Sequence, residues 1–125
     1  MKPVPLAGSR PDSPALTALE TAVIDCALRA LGADGAALRA QLEVAEVRTR
    51  TGSGVGFVTR LRVPADTPRA AGRPPPPVLG HHPALAEPAE FLLELKDGRL
   101  HTLEACCFSG FWPDDEAAFQ LVVRS

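Results

Sequence analysis

FLLELKDGRLHTLEACCFSGFWP, residues 91–113, is the longest run with strand character in the chain and holds its only tryptophan. Two apolar segments flank Asp97-Gly98, a dipeptide suited to a two-residue type I′ turn because both positions accept positive φ. In that register Lys96 faces Arg99, Leu95 faces Leu100, Leu93 faces Thr102 and Phe91 faces Glu104. Alternation then puts Phe91, Leu93, Leu95, Leu100, Thr102, Glu104, Cys106 and Phe108 on the expected core face. Leu92, Glu94, Lys96, Arg99, His101, Leu103 and Cys107 fall on the other.

Upstream, Leu16, Leu19, Val23, Cys26, Ala27 and Ala30 recur at helical spacing, with Glu20, Thr21, Asp25 and Arg29 largely opposite. Ser13 reads as the cap of this helix, Pro14 as its first residue and Gly32 as its end. Asp34 is placed to cap a shorter helix through Leu38 and Leu42. From Glu43 the period becomes two: Val47, Thr49 and Thr51 alternate with Arg48 and Arg50. After Gly52-Ser53-Gly54, the residues Val55, Phe57, Leu61 and Val63 alternate with Val58, Arg60 and Arg62. Residues 64–88 carry eight of the 13 prolines. Pro74–Pro77 favour polyproline II geometry, so 64–77 is expected as an exposed loop. A short strand over Val78–Leu85 follows, which Pro83 would restrict to a sheet edge. Phe119, Leu121 and Val123 mark a last strand. The expected architecture is α+β, with two N-terminal helices packed on one face of a mostly antiparallel sheet of five to six strands. Residues 1–12 read as a loose tail and 13–125 as one domain.

Of the 125 residues, 46% are hydrophobic, and the formal net charge is −2. That balance supplies no global attraction for nucleic acid or an anionic membrane. No run approaches the ~18 apolar residues of a membrane span. Three cysteines, an odd number, argue against a secreted disulfide framework, and prolines break the N-terminus where a signal peptide would be apolar. These features lead to the expectation of a cytoplasmic protein with reduced thiols. The chain has no Asn or Tyr, one Ile and two lysines, with abundant Ala, Arg, Gly and Pro, as GC-rich bacterial codons produce.

TGSGVGF at 51–57, Val63-Pro64, VLG at 78–80, FLLELKDGRLHTLE at 91–104 and Trp112-Pro113 together resemble a small bacterial family of uncharacterised proteins. Members of that family pair a Thr-Gly-x-Gly-Phe strand segment with a later Asp-Gly hairpin and a Leu-Glu segment. The resemblance spans roughly residues 38–113 and implies a shared fold but no reaction. Cys106-Cys107 and the proline-heavy middle depart from the family pattern.

Several residues invite chemistry. Glu104, placed on the apolar face beside Phe91 and Cys106, suggests a general acid/base or a ligand-gripping carboxylate. Its plain reading is a glutamate paired with an arginine, or one turned outward by a β-bulge. His101 and Cys106 are the neighbouring candidates, although Cys106 reads first as a small core residue and His101 as a surface partner of Glu94. Adjacent Cys106 and Cys107 point to opposite faces and cannot grip one ion together. His81 and His82, near Glu87, read as solvated, so no metal or other cofactor is expected. Gly52, Gly54 and Gly56 precede a strand where phosphate loops precede a helix, and so read as turn glycines. Arg48, Arg50, Arg60 and Arg62 are expected on one strand face, able to meet phosphates or an acidic partner. The absence of interleaved aromatics argues against nucleic acid.

The expected function is a non-enzymatic binding or protein-interaction module. Its partner would be another protein or a second copy of the chain, met through the arginine face and the Trp112 corner. The alternative is a small-ligand binder or enzyme using Glu104.

Overall fold

The computed structural model describes residues 15–124; the tail over 1–12 and the Ser13-Pro14 cap lie outside the described residues. Helix α1 spans Ala18–Arg29 and starts on Thr17. The Thr17 hydroxyl accepts the Glu20 amide, and the Glu20 carboxylate accepts the Thr17 amide. This reciprocal capping box satisfies two donors that a helix start leaves open. The chain leaves α1 through Gly32, at φ +57°, the left-handed residue expected there. A 3-10 turn over Gly32–Gly35 leads into α2, Ala36–Val44, which has Gly35 at its cap position and no capping side chain. The expected Asp34 cap is therefore not made.

Six strands follow: β1 (Glu46–Gly52), β2 (Gly56–Arg62), β3 (Val78–His81), β4 (Ala89–Lys96), β5 (Arg99–Cys106) and β6 (Gln120–Val123). They form one sheet in the order β1-β2-β5-β4-β3-β6, and every neighbouring pair is antiparallel. The α+β class and the helix-first order match the sequence expectation. β3 does not lie at an edge. It runs between β4 and β6 and ends at His81, two residues before Pro83, so the proline removes no ladder donor. Both helices pack on one sheet face. Leu19, Val23, Ile24 and Leu28 of α1 and Leu38 of α2 share a core with Val78, Phe91, Leu93, Leu100 and Leu103. No helix among the described residues is long and apolar enough to cross a membrane.

Asp97 and Gly98 both have positive φ, +53° and +75°, as a type I′ turn requires. The pairs Lys96↔Arg99 and Leu95↔Leu100 match the expected register, but the ladder then resumes at Glu94↔Thr102. His101 is the extra residue of a β-bulge, and one added residue exchanges the two faces beyond it. Phe91 therefore faces Ala105 and Leu93 faces Leu103. The core set on β5 is Leu100, Leu103 and Ala105, followed by Cys107, in place of Thr102, Glu104 and Cys106. A second irregularity at Arg48 separates Val47↔Leu61 from Thr49↔Arg60. Past it, Arg50 opposes the buried Thr59, while Thr49 and Thr51 turn to the outer face.

The proline-rich segment is tied down at its middle. Gln41, fully buried on α2, donates from Nε2 to the carbonyl oxygens of Pro68 and Gly98, both at 2.9 Å, and accepts the Leu100 amide at 2.9 Å. Ala70 N–H also donates to Gly98 O, at 2.8 Å. One amide side chain thus joins helix, loop and hairpin turn. At the opposite end of the sheet, Gly56 lets β2 approach β5 closely: a Cβ there would sit 1.8 Å from the Ala105 carbonyl oxygen.

Candidate functional site

The Arg48 bulge turns Arg50 toward α1, where it meets Glu20. Arg50 Nε donates to Glu20 Oε2 at 2.9 Å and Nη2 to Oε1 at 2.6 Å, a side-on bidentate pair. Thr59 Oγ1 donates to Oε2 at 2.5 Å, and the Thr17 amide completes the set at Oε1. The side chains are 1% and 10% exposed for Glu20 and Arg50. Burial works against the charged carboxylate, yet the hydrogen bonds from Arg50, Thr59 and Thr17 and the Arg50 charge outweigh it. They hold the Glu20 pKa below the ordinary glutamate range. Glu20 was expected on the polar side of the helix; it is instead the best-bonded carboxylate described.

This pair forms one wall of a cleft of about 240 Å³, closed by Gly52, Gly56, Phe57, Trp112 and Glu116. Trp112 is half-buried, with ring centroids 5.5 Å from Phe57, 5.8 Å from Phe91 and 5.1 Å from Phe119. Its Nε1–H donates to Glu116 at 2.8 Å. The tryptophan expected as a contact residue therefore belongs mainly to the aromatic core. What the same corner exposes is Phe108 at 62%, Phe111 at 81% and Val55 at 40%. Cys107 N–H donates to Val55 O and Trp112 N–H to Gly54 O, each at 2.8 Å, so the 107–112 loop is held against the β1–β2 turn. Phe108 was expected in the core and is on the surface, because the His101 bulge reversed the face on which β5 ends.

Glu104, also expected in the core, stands on the outer face between Val58 and Leu92 on the neighbouring strands. It is half-buried in a groove of about 270 Å³ that also includes Thr51, Ser53, Glu90 and Cys106. Glu90 is held by Arg124. Glu104 has no hydrogen-bond or ion-pair partner among the described residues. Cys106 is exposed, and Cys107 is the cysteine that enters the core. Burial pushes the thiols of Cys107 and Cys26 up, making them poorer thiolates.

The four arginines do not share a face. Arg50 is turned inward, Arg48 is exposed at its bulge, and Arg60 and Arg62 lie on the outer face with Arg62 bonded to Glu46. His101 bonds Thr102 Oγ1 through Nδ1 at 2.8 Å and stands apart from the groove of Glu104 and Cys106. Among the described residues no three His, Cys, Asp or Glu side chains converge as a metal-holding group. His82 accepts the Ala84 amide at Nδ1, so Nε2 carries the proton given to Asp115 O at 2.7 Å.

Sequence reasoning missed Glu20, Phe111 and Val55. A signal for Glu20 was present: Thr17-x-x-Glu20 before an apolar run spells a capping box. None marked the two surface residues, since their exposure depends on how the loop closes.

The fold and its exposed end define a small α+β domain with one sheet face covered by helices and an apolar, aromatic corner. Comparison with protein-family models, curated proteins and solved structures finds no match to this chain.

Proposed function

We propose that the protein is a non-enzymatic interaction module that docks another protein on its aromatic corner. The observation that carries this reading is the pair Phe108 and Phe111, two phenylalanines held in solvent by a loop bonded to the β1–β2 turn. Exposed aromatics on a pre-ordered surface lose little conformational freedom on binding and supply the anchors that dominate interfaces. The adjoining cleft beside Trp112 offers room for one apolar side chain of the partner. Replacing Phe108 and Phe111 together by serine is expected to change stability by less than about 0.5 kcal/mol each, as exposed positions do. A photoreactive phenylalanine analogue at position 111, in cells of the source organism, is expected to give one dominant protein adduct that the Phe108→Ser change removes. An absence of adducts, or a pattern indifferent to Phe108, rejects the reading.

A second reading rests on Glu104, a half-buried carboxylate without a partner in an open groove. It supports binding of a small cationic ligand, such as an amine. Under that reading, amines raise the wild-type melting temperature and leave Glu104→Gln unmoved; equal shifts in both proteins exclude it.

A further inference from the structure

The opposite end of the sheet from the aromatic corner carries a separate feature. β2 and β5 stop pairing at Arg60↔Thr102, where the His101 bulge interrupts β5. Beyond it a wedge of about 200 Å³ lies between the ends of the two strands, and its charged lining is Arg62, Lys96, Asp97, Arg99 and His101. Arg99 Nη2 donates to Ala65 O at 2.7 Å and reaches Thr67 O at 3.5 Å, which fixes the plane of the guanidinium. Its Nε is buried with no acceptor. A guanidinium left short of acceptors in this way gains from an adjacent anion. Arg62 is bonded to Glu46, but its own side chain is mostly in solvent and that of Glu46 is half exposed, and such pairs are easily exchanged. Three permanent cations and a histidine thus surround a space walled by one carboxylate, Asp97. Three of the donors have a backbone reason for their place: Lys96 and Arg99 face each other across the type I′ turn, and His101 is the bulged residue.

We propose that this wedge binds a small phosphate-type oxyanion, inorganic phosphate, pyrophosphate or a phosphate monoester. Guanidinium and ammonium donors arriving from β2, β4 and β5 suit a tetrahedral anion with several acceptor oxygens better than a planar carboxylate. The site is independent of the aromatic corner, so either assignment can fail alone.

The test is an amide-detected NMR titration of the full chain with inorganic pyrophosphate at low salt, with citrate as the carboxylate comparison. Saturable shifts are expected on Arg62, Val63 and residues 96–101, with citrate binding more weakly. Lys96→Glu, an exposed turn-flanking change, is expected to weaken pyrophosphate binding by about tenfold or more, because it reverses a charge at the site. Arg99→Lys is expected to weaken it as well; should that variant lose the loop held by Arg99, the Lys96→Glu measurement decides alone. Shifts that do not saturate, that spread over the surface, or that survive Lys96→Glu overturn the site. Citrate binding as tightly as pyrophosphate overturns the phosphate assignment.

Discussion

Replacing Glu20 with alanine is expected to lower unfolding stability by about 3–5 kcal/mol, the usual cost of removing one partner of a buried ion pair. The change removes the carboxylate that faces the Arg50 guanidinium in a site where it is 10% exposed and deprives Thr59 and the Thr17 amide of their acceptor. Against the roughly 5–15 kcal/mol that holds a domain of this kind together, that is a large share. A shift of the melting temperature by more than about 10 °C is the corresponding readout. The double variant Glu20→Ala/Arg50→Met is expected to recover part of the loss, because an apolar pair does not leave a buried charge unmatched. A Glu20→Ala protein within about 1 kcal/mol of wild type would show that the pair contributes little net stability.

The same carboxylate gives the protein an acid-sensitive element. The Glu20 pKa is lower folded than unfolded, so the folded state favours the ionised form. Its contribution is complete above the unfolded value of about 4.3 and is lost as pH falls through it toward the folded pKa. Urea midpoints measured from pH 7 downward are expected to decline more steeply below about pH 5 in wild type than in Glu20→Ala. Parallel profiles would contradict this.

Replacing Gln41 with leucine is the other change of large expected effect. Leucine fills similar space but leaves Pro68 O and Leu100 N–H without their partner; Gly98 O keeps the Ala70 amide. The buried Leu100 N–H left open costs about 1–3 kcal/mol, and the part-buried Pro68 carbonyl adds a smaller loss. Because Gln41 is the bridge between α2, the proline-rich loop and the hairpin turn, the loss is expected to be local as well as global. Hydrogen exchange should show early exposure of the Ala70 and Leu100 amides while α1 stays protected. Gln41→Glu adds a sign test. A buried carboxylate facing two carbonyl oxygens favours its protonated form in the folded state, so this variant should gain stability relative to wild type as pH falls. Uniform loss of protection across the chain in Gln41→Leu would mean that the bridge has no local role.

These contacts separate what was legible in the chain from what was not. Helix α1 announced itself by apolar residues at three- and four-residue steps and by Gly32, and Asp97-Gly98 announced the hairpin, because both signals act over a few residues. The strands could be read from period two, and Lys96 opposite Arg99 followed from the turn alone. The outward position of Glu104 was legible only as one of two readings, and the inward position of Arg50 was not legible. Both depend on bulges, at His101 and at Arg48, where one residue is set aside from the ladder. Within residues 99–107 the apolar set Leu103, Ala105 and Cys107 argues for burial over Thr102, Glu104 and Cys106, but it falls out of step with Leu100 counted from the turn, and only a bulge reconciles the two.

By itself, then, the sequence determined the element types, their order, the hairpin turn and the α+β class, because hydrophobic period and turn chemistry are local properties of the chain. Tertiary structure alone decided which face each strand presents past its bulge. That choice sent Arg50 to Glu20, put Leu103 and Cys107 in the core, and left Glu104 and Phe108 outside. The physical reason is that a bulge is set by the fit between strands brought together from distant parts of the chain. The helix layer rewards burying Leu103 over Glu104 by more than the irregular ladder at His101 costs.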